Sequence, residues 1–173
     1  MPFGSVSTTL TPALNNGVCM VNYRGIEGMG NFTTNEIDSL TNGRKLPFVV
    51  AITCLTGGFY GVQESLMERF VATGTTTAPS GAIACIGTAT NSTHTRQNNT
   101  LDYGTLAGLY DEGITQPGNA MNRGKIELYN TYQTHDPQSV INFSNFAALA
   151  GDPGVELYTG AIQFMTSNVP DNI

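Results

Sequence analysis

Residues 46–59 read LPFVVAITCLTGGF, and the fold turns on how this stretch is built. Pro47 opens a continuous apolar, β-branched run, Phe48-Val49-Val50-Ala51-Ile52, which Gly57-Gly58 closes. An apolar run of that length between such breakers predicts a strand buried on both faces, as strands of parallel sheets are. Cys54 then stands just past the carboxyl end of the strand. Ligands and chemistry collect at that end of an open α/β sheet, so position and residue type both make Cys54 a nucleophile candidate.

The flanking segments repeat the pattern. Upstream, residues 17–23 (GVCMVNY) form a compact apolar run and predict a strand, followed by a Gly-rich loop at 24–31 (RGIEGMGN). Thr33, Asn35 and Glu36 suit the start of a short helix ending near Leu40, because their side chains can bond its free N–H groups. Asn42-Gly43 turns the chain into the central strand. Downstream, residues 62–72 carry Leu66, Met67, Phe70 and Val71 at helical spacing. Residues 81–87 (GAIACIG) predict a third buried strand, and 88–95 a polar loop. Helices are expected over 101–110 and 120–132, the second with Met121, Ile126, Leu128 and Tyr129 inward and weakened by Gly124. Residues 142–150 read as a short helical or irregular segment, and 155–158 as a last strand. Residues 1–16, rich in Ser, Thr, Pro and Asn, read as loop. Strands alternating with helices imply an α/β three-layer sandwich with a mostly parallel sheet. The expected organisation is one domain over residues 1–166 and a tail at 167–173.

Composition removes several function classes. Only 12 % of the 173 residues are charged, the net charge is -6, and the seven basic residues form no cluster. Nucleic-acid binding needs clustered Lys and Arg against phosphates, so it is excluded as an expectation. No apolar stretch approaches the ~18 residues needed to span a bilayer. The weakly charged, Thr/Asn/Ser-rich chain fits a secreted or cell-surface protein. Its first residues show no signal peptide, so Met1 reads as an introduced or a truncated start. The three cysteines, Cys19, Cys54 and Cys85, have neither metal-ligand nor disulfide-framework spacing. Cys19 and Cys85 lie in strand-like runs and read as small buried hydrophobes.

Four stretches resemble the catalytic domain of the gingipain family of cysteine peptidases, whose fold is caspase-like. VNYRG at 21–25 resembles the family's Asn-Tyr-x-Gly-His-Gly segment, and 40–59 resembles the strand that delivers the catalytic cysteine. ESLMERFVATG and GAIACIGTAT resemble the helix and strand that follow. GNAMNRGKIELYNTY and LAGDPGVELY resemble the closing helix and a Gly-Asp-Pro strand. The resemblance covers the carboxyl half of the family's domain, which implies an incomplete sheet with an open apolar edge. Such an edge predicts pairing, as a homodimer or with the missing amino-terminal half.

The resemblance implies a cysteine endopeptidase that attacks a peptide or protein substrate through Cys54. Backbone N–H groups near Gly57 and Gly58 would steady the oxyanion, unless this pair is simply a turn. No cofactor is required by this reading. The resemblance allows a structural Ca²⁺ ion, although Asp102, Asp111, Glu112 and Asp136 are too scattered to name a cage. One departure stands out. The family's catalytic His and the Gly after it are replaced by Ile26 and Glu27. Ile26 transfers no proton, and a carboxylate at Glu27 opposes thiolate formation by like-charge repulsion. Of the two histidines, His135 reads as surface. His94 follows the third strand and should emerge on the edge where Cys54 lies, as a substitute base or as a solvated loop residue. The alternative function is a catalytically dead member of the family, with a structural or binding role.

Overall fold

The computed structural model describes residues 5–60 and 63–158. Its sheet has four strands in the order β1 (Met20–Asn22), β2 (Phe48–Val50), β3 (Ala84–Thr88) and β4 (Ala147–Gly151). The first three run parallel, with Val49 in register between Val21 and Cys85; β4 lies antiparallel to β3. β2 and β3 are buried along their whole length, as the apolar runs predict.

Alternate residues of these strands feed two separate cores, which makes the molecule a three-layer sandwich. Val49, Ala51 and Cys85 pack with Leu14, Ile37, Met67 and Phe70 of helices α1 (Val6–Asn16), α2 (Thr34–Asp38) and α3 (Leu66–Ala72). Phe48, Val50, Ile52, Ala84 and Ile86 pack on the other face with Leu101, Leu109 and Ala120. Those last residues come from α4 (Thr95–Tyr110) and α5 (Pro117–Tyr132). Each Val, Leu, Ile, Phe or Met side chain among them, withdrawn from water, contributes roughly 1.5–3 kcal/mol. The central strand draws on both sides at once.

Helix boundaries follow local chemistry. Thr33 and Glu36 form a reciprocal capping box at the start of α2, and Ser65 and Glu68 form another at α3. α4 and α5 cross through glycines: a Cβ on Gly104 would lie 2.9 Å from the Gly124 Cα. Gly124, expected to weaken its helix, is what lets the two backbones approach.

Several expectations are corrected. Residues 6–16 are helical, not loop. Ser5 caps α1, and Val6, Leu10 and Leu14 form a single stripe on the first core. Pro12 and the β-branched threonines hide that stripe in the sequence. Residues 142–150 divide between the end of α6 (Pro137–Phe146) and β4. The Ala-rich β4 has little strand propensity of its own and is formed by its five-residue pairing with β3. Residues 155–158 are not a strand; Leu157 donates one backbone bond to the Thr115 carbonyl instead.

In α5 the buried stripe is Pro117, Ala120, Gly124 and Leu128, so Ile126 and Tyr129 face outward, contrary to expectation. The Gly-mediated crossing narrows the inward face. Cys19 is exposed rather than buried, because it leads into the edge strand β1, whereas Cys85 is buried as expected. α3 starts at Leu66 and α4 at Thr95, each bounded by its cap. The expected tail at 167–173 and the domain end at 166 lie outside the described residues.

Candidate active site

Cys54 lies four residues beyond β2, on a loop that is stitched down at nearly every step. The Thr56 hydroxyl bonds the Ala51 carbonyl oxygen at 2.5 Å and also takes the Thr88 N–H at 3.2 Å. Leu55 N–H donates to the Thr90 carbonyl and Gly57 N–H to the Thr88 carbonyl, both at 3.0 Å. Leu55 has φ +63°, a left-handed conformation uncommon for a branched side chain. That turn sits directly after the half-buried Cys54 and sets its direction. Backbone held in such a conformation clusters at functional sites, where surrounding structure over-determines it.

β1 and α4 supply what surrounds the thiol. Thr93 Oγ1 lies 2.9 Å from Cys54 Sγ, and Asn98 Nδ2 donates to the same hydroxyl oxygen at 2.8 Å. The Tyr23 N–H bonds the Val50 carbonyl, which sets Arg24 beside the end of β2. The Arg24 guanidinium donates to Asn99 Oδ1 through Nη2 at 2.7 Å and Nε at 3.2 Å. Burial pulls its pKa below the ordinary value, while the Asp102 carboxylate and the Cys54 sulfur pull it back up. Burial in turn pushes the Asp102 carboxyl up, opposed by the Asn22 amide bond at 2.8 Å and by Arg24. The Arg24 Nη1 and the Asn98 Oδ1 are buried without a protein partner.

The residues singled out in the sequence fall around this group in different ways. Ile26 is 88 % exposed, an apolar side chain in water. Glu27 is exposed too, but its backbone pairs with Cys54 in an isolated parallel bridge. His94 is not in a free loop: it is the N-cap of α4, its Nδ1 accepting the Arg96 N–H at 3.2 Å. The residue that touches Cys54 is Thr93, one position earlier. Gly57 and Gly58 donate their N–H groups to the Thr88 and Leu55 carbonyls, at 3.0 and 3.4 Å. They tighten the loop and are spent as oxyanion donors. A Cβ on Gly57 would come within 3.0 Å of Met67 Cε.

Arg24, Thr93, Asn98 and Asn99 were not identified from sequence. Their signal was faint: an Arg inside the Asn-Tyr segment, and polar residues at the start of an otherwise apolar helix. Among the described residues, no group of three or more His, Cys, Asp or Glu side chains is placed to hold a metal ion. The four scattered carboxylates have other partners or none: Glu112 binds Arg123, and Asp136 caps α6. No described helix is long and apolar enough to cross a membrane.

Comparison with known proteins agrees with this architecture. Residues 3–158 match the family described as Peptidase family C25. The structure of gingipain R, an Arg-specific cysteine proteinase, superposes with a TM-score of 0.72 at 22 % identity, over 90 % of this chain and 37 % of that one. A complex of the pro- and mature domains of RgpB from Porphyromonas gingivalis gives a TM-score of 0.79 at 20 % identity, over 90 % and 38 %. The chain thus spans well under half the length of these solved structures. No curated protein sequence matches it. The family match extends over every described residue, and the fold is that of the gingipain structures: this chain belongs to peptidase family C25 and is a cysteine peptidase-type domain.

Proposed function

We propose that the chain is the nucleophile-bearing part of a cysteine endopeptidase, with Cys54 as the attacking group. The observation that carries this is the seating of Cys54: a strained, fully stitched loop at the end of the central strand, with the sulfur hydrogen-bonded to Thr93. In such a reaction Sγ adds to the scissile carbonyl carbon, and the C–N bond breaks as the amine leaves with a proton. The resulting thioester on Cys54 is then hydrolysed. The substrate class is a peptide or protein. The Thr/Asn/Ser-rich, weakly charged composition favours a secreted or surface setting.

A second reading is supported by Ile26 and by the capped His94. Ile26 has no proton to give and His94 is engaged as the cap of α4, so in this reading the sheet would serve as a binding module without turnover. Among the described residues β1 pairs with β2 alone, and its outer edge favours completion by a further strand, from a second copy or an amino-terminal half. Hydrolysis of a mixed fluorogenic peptide library, with Cys54→Ala as the control, separates the readings. Cleavage that Cys54→Ala abolishes supports the peptidase. Cleavage unchanged in Cys54→Ala, or none in a chain whose Cys54 is reactive, supports the module.

A further inference from the structure

Two adjacent asparagines of α4 hold Thr93, whose hydroxyl touches the Cys54 sulfur, and Arg24, which follows the strand beside β2. Asn98 grips the Thr93 hydroxyl and Asn99 grips the Arg24 guanidinium, at 2.8 and 2.7 Å. Because Asn98 Nδ2 donates to Thr93 Oγ1, the hydroxyl's own proton is free to point at the sulfur 2.9 Å away. Arg24 brings a permanent positive charge to the end of the neighbouring strand. Asn99 Oδ1 occupies its Nε and Nη2, which leaves Nη1 buried and unpartnered.

Asn98 itself is only 3 % exposed, and its Oδ1 has no partner. A buried amide left half satisfied is costly. It is kept at a position whose one bond orients Thr93. The Asp102 carboxylate is engaged with Asn22, and Glu27 is exposed.

We propose that Arg24 and Thr93 are positioning residues for Cys54 as a nucleophile, Thr93 through its hydroxyl against the sulfur and Arg24 through its positive charge at the end of the neighbouring strand. The inference rests on Cys54 being the nucleophile. A hydrogen-bond donor and a fixed cation both favour the anion over the neutral thiol. Neither can hand a proton to a leaving group. The arrangement therefore promotes attack by sulfur and leaves the expulsion of an amine unassisted.

Alkylation by iodoacetamide isolates the first of these steps, since sulfur displaces iodide and no leaving group needs a proton. The rate at Cys54 is followed at pH 7 by peptide mapping, in the unaltered chain and in Arg24→Gln, Arg24→Lys, Thr93→Val and Thr93→Ser. Near-ultraviolet dichroism confirms that each variant is folded. The expected result is a loss of about tenfold in Arg24→Gln and in Thr93→Val, most of it recovered in Arg24→Lys and Thr93→Ser. Recovery by the conservative variants is what a merely structural role would not produce selectively at the thiol. Rates in Arg24→Gln and Thr93→Val within about twofold of the unaltered chain overturn the inference while leaving Cys54 as nucleophile. A Cys54 inert in every form overturns both.

Discussion

Glu27 and Cys54 are backbone partners: they form a parallel bridge, and the next N–H, that of Gly28, donates to the Cys54 carbonyl oxygen at 3.0 Å. The loop that carries Ile26 is therefore fixed against the strand end that carries the thiol. Its place in the site does not depend on the side chains at 26 and 27. An imidazole placed there, with Ile26→His and Glu27→Gly together, should add a proton donor beside the bridged strand end. General acid–base catalysis contributes typically ~10²–10⁴-fold. The double variant is expected to gain amide hydrolysis on that scale in a fluorogenic peptide assay, with the gain lost in Cys54→Ala. An unchanged rate would show that position 26 does not face the reacting bond.

The α4–α5 crossing gives a second prediction. A Cβ on Gly124 would stand 2.5 Å from both the Leu101 carbonyl oxygen and Thr105 Oγ1. Alanine is the better helix former, yet here it must push two helices apart. Overpacking of this kind costs typically ~1–3 kcal/mol, more than the propensity gain. Urea unfolding of Gly124→Ala should show a lowered midpoint. A raised midpoint would mean the helices are free to separate.

Ser65 caps α3, and its hydroxyl accepts the Glu68 N–H at 3.3 Å. α3 carries Met67 under Gly57, so the cap also supports the floor of the Cys54 loop. Loss of a Ser cap costs about 1 kcal/mol. Ser65→Ala should lower the thermal midpoint by a few degrees, while Ser65→Asp should retain it.

Acid should destabilise the fold through its caps. The Ser139 side-chain and backbone bonds hold Asp136 below its ordinary value of 3.8, and Thr33 holds Glu36 below 4.5. A carboxylate with a depressed folded pKa contributes stability that is present above its ordinary value and lost as pH falls through the folded one. Asp102 acts in the opposite sense. Burial raises it, so its contribution is present at low pH and is lost as pH rises through the raised value. Unfolding free energy measured from pH 6 to pH 3 should fall, and fall less steeply in Asp136→Asn. An equal slope in that variant would remove the cap from the account.

Most of the architecture was legible because β2 and β3 are buried on both faces and need continuous apolar runs. α1 and β4 were not. In α1 the stripe of Val6, Leu10 and Leu14 is diluted by threonines and Pro12, and β4 is a strand only because β3 lies beside it. In the site, Cys54 was readable from its place after the strand. Thr93, Arg24 and the two asparagines were not, because their roles arise from the packing of α4 against the ends of β1 and β2. No spacing within one segment records that packing.

The claim that Cys54 is the nucleophile is tested most directly by comparing the three thiols of the unaltered chain under one electrophile. Cys19 is exposed and serves as the internal standard; Cys85 is buried, and desolvation pushes its thiol far up. Limited iodoacetamide treatment at pH 7, read by mass spectrometry of the digested chain, gives the three rates together. Cys54 should be labelled faster than Cys19 although it is less exposed, and Cys85 should stay unmodified. Labelling of Cys54 at or below the rate of Cys19 would contradict the account, leaving exposure rather than activation as what decides thiol reactivity in this fold.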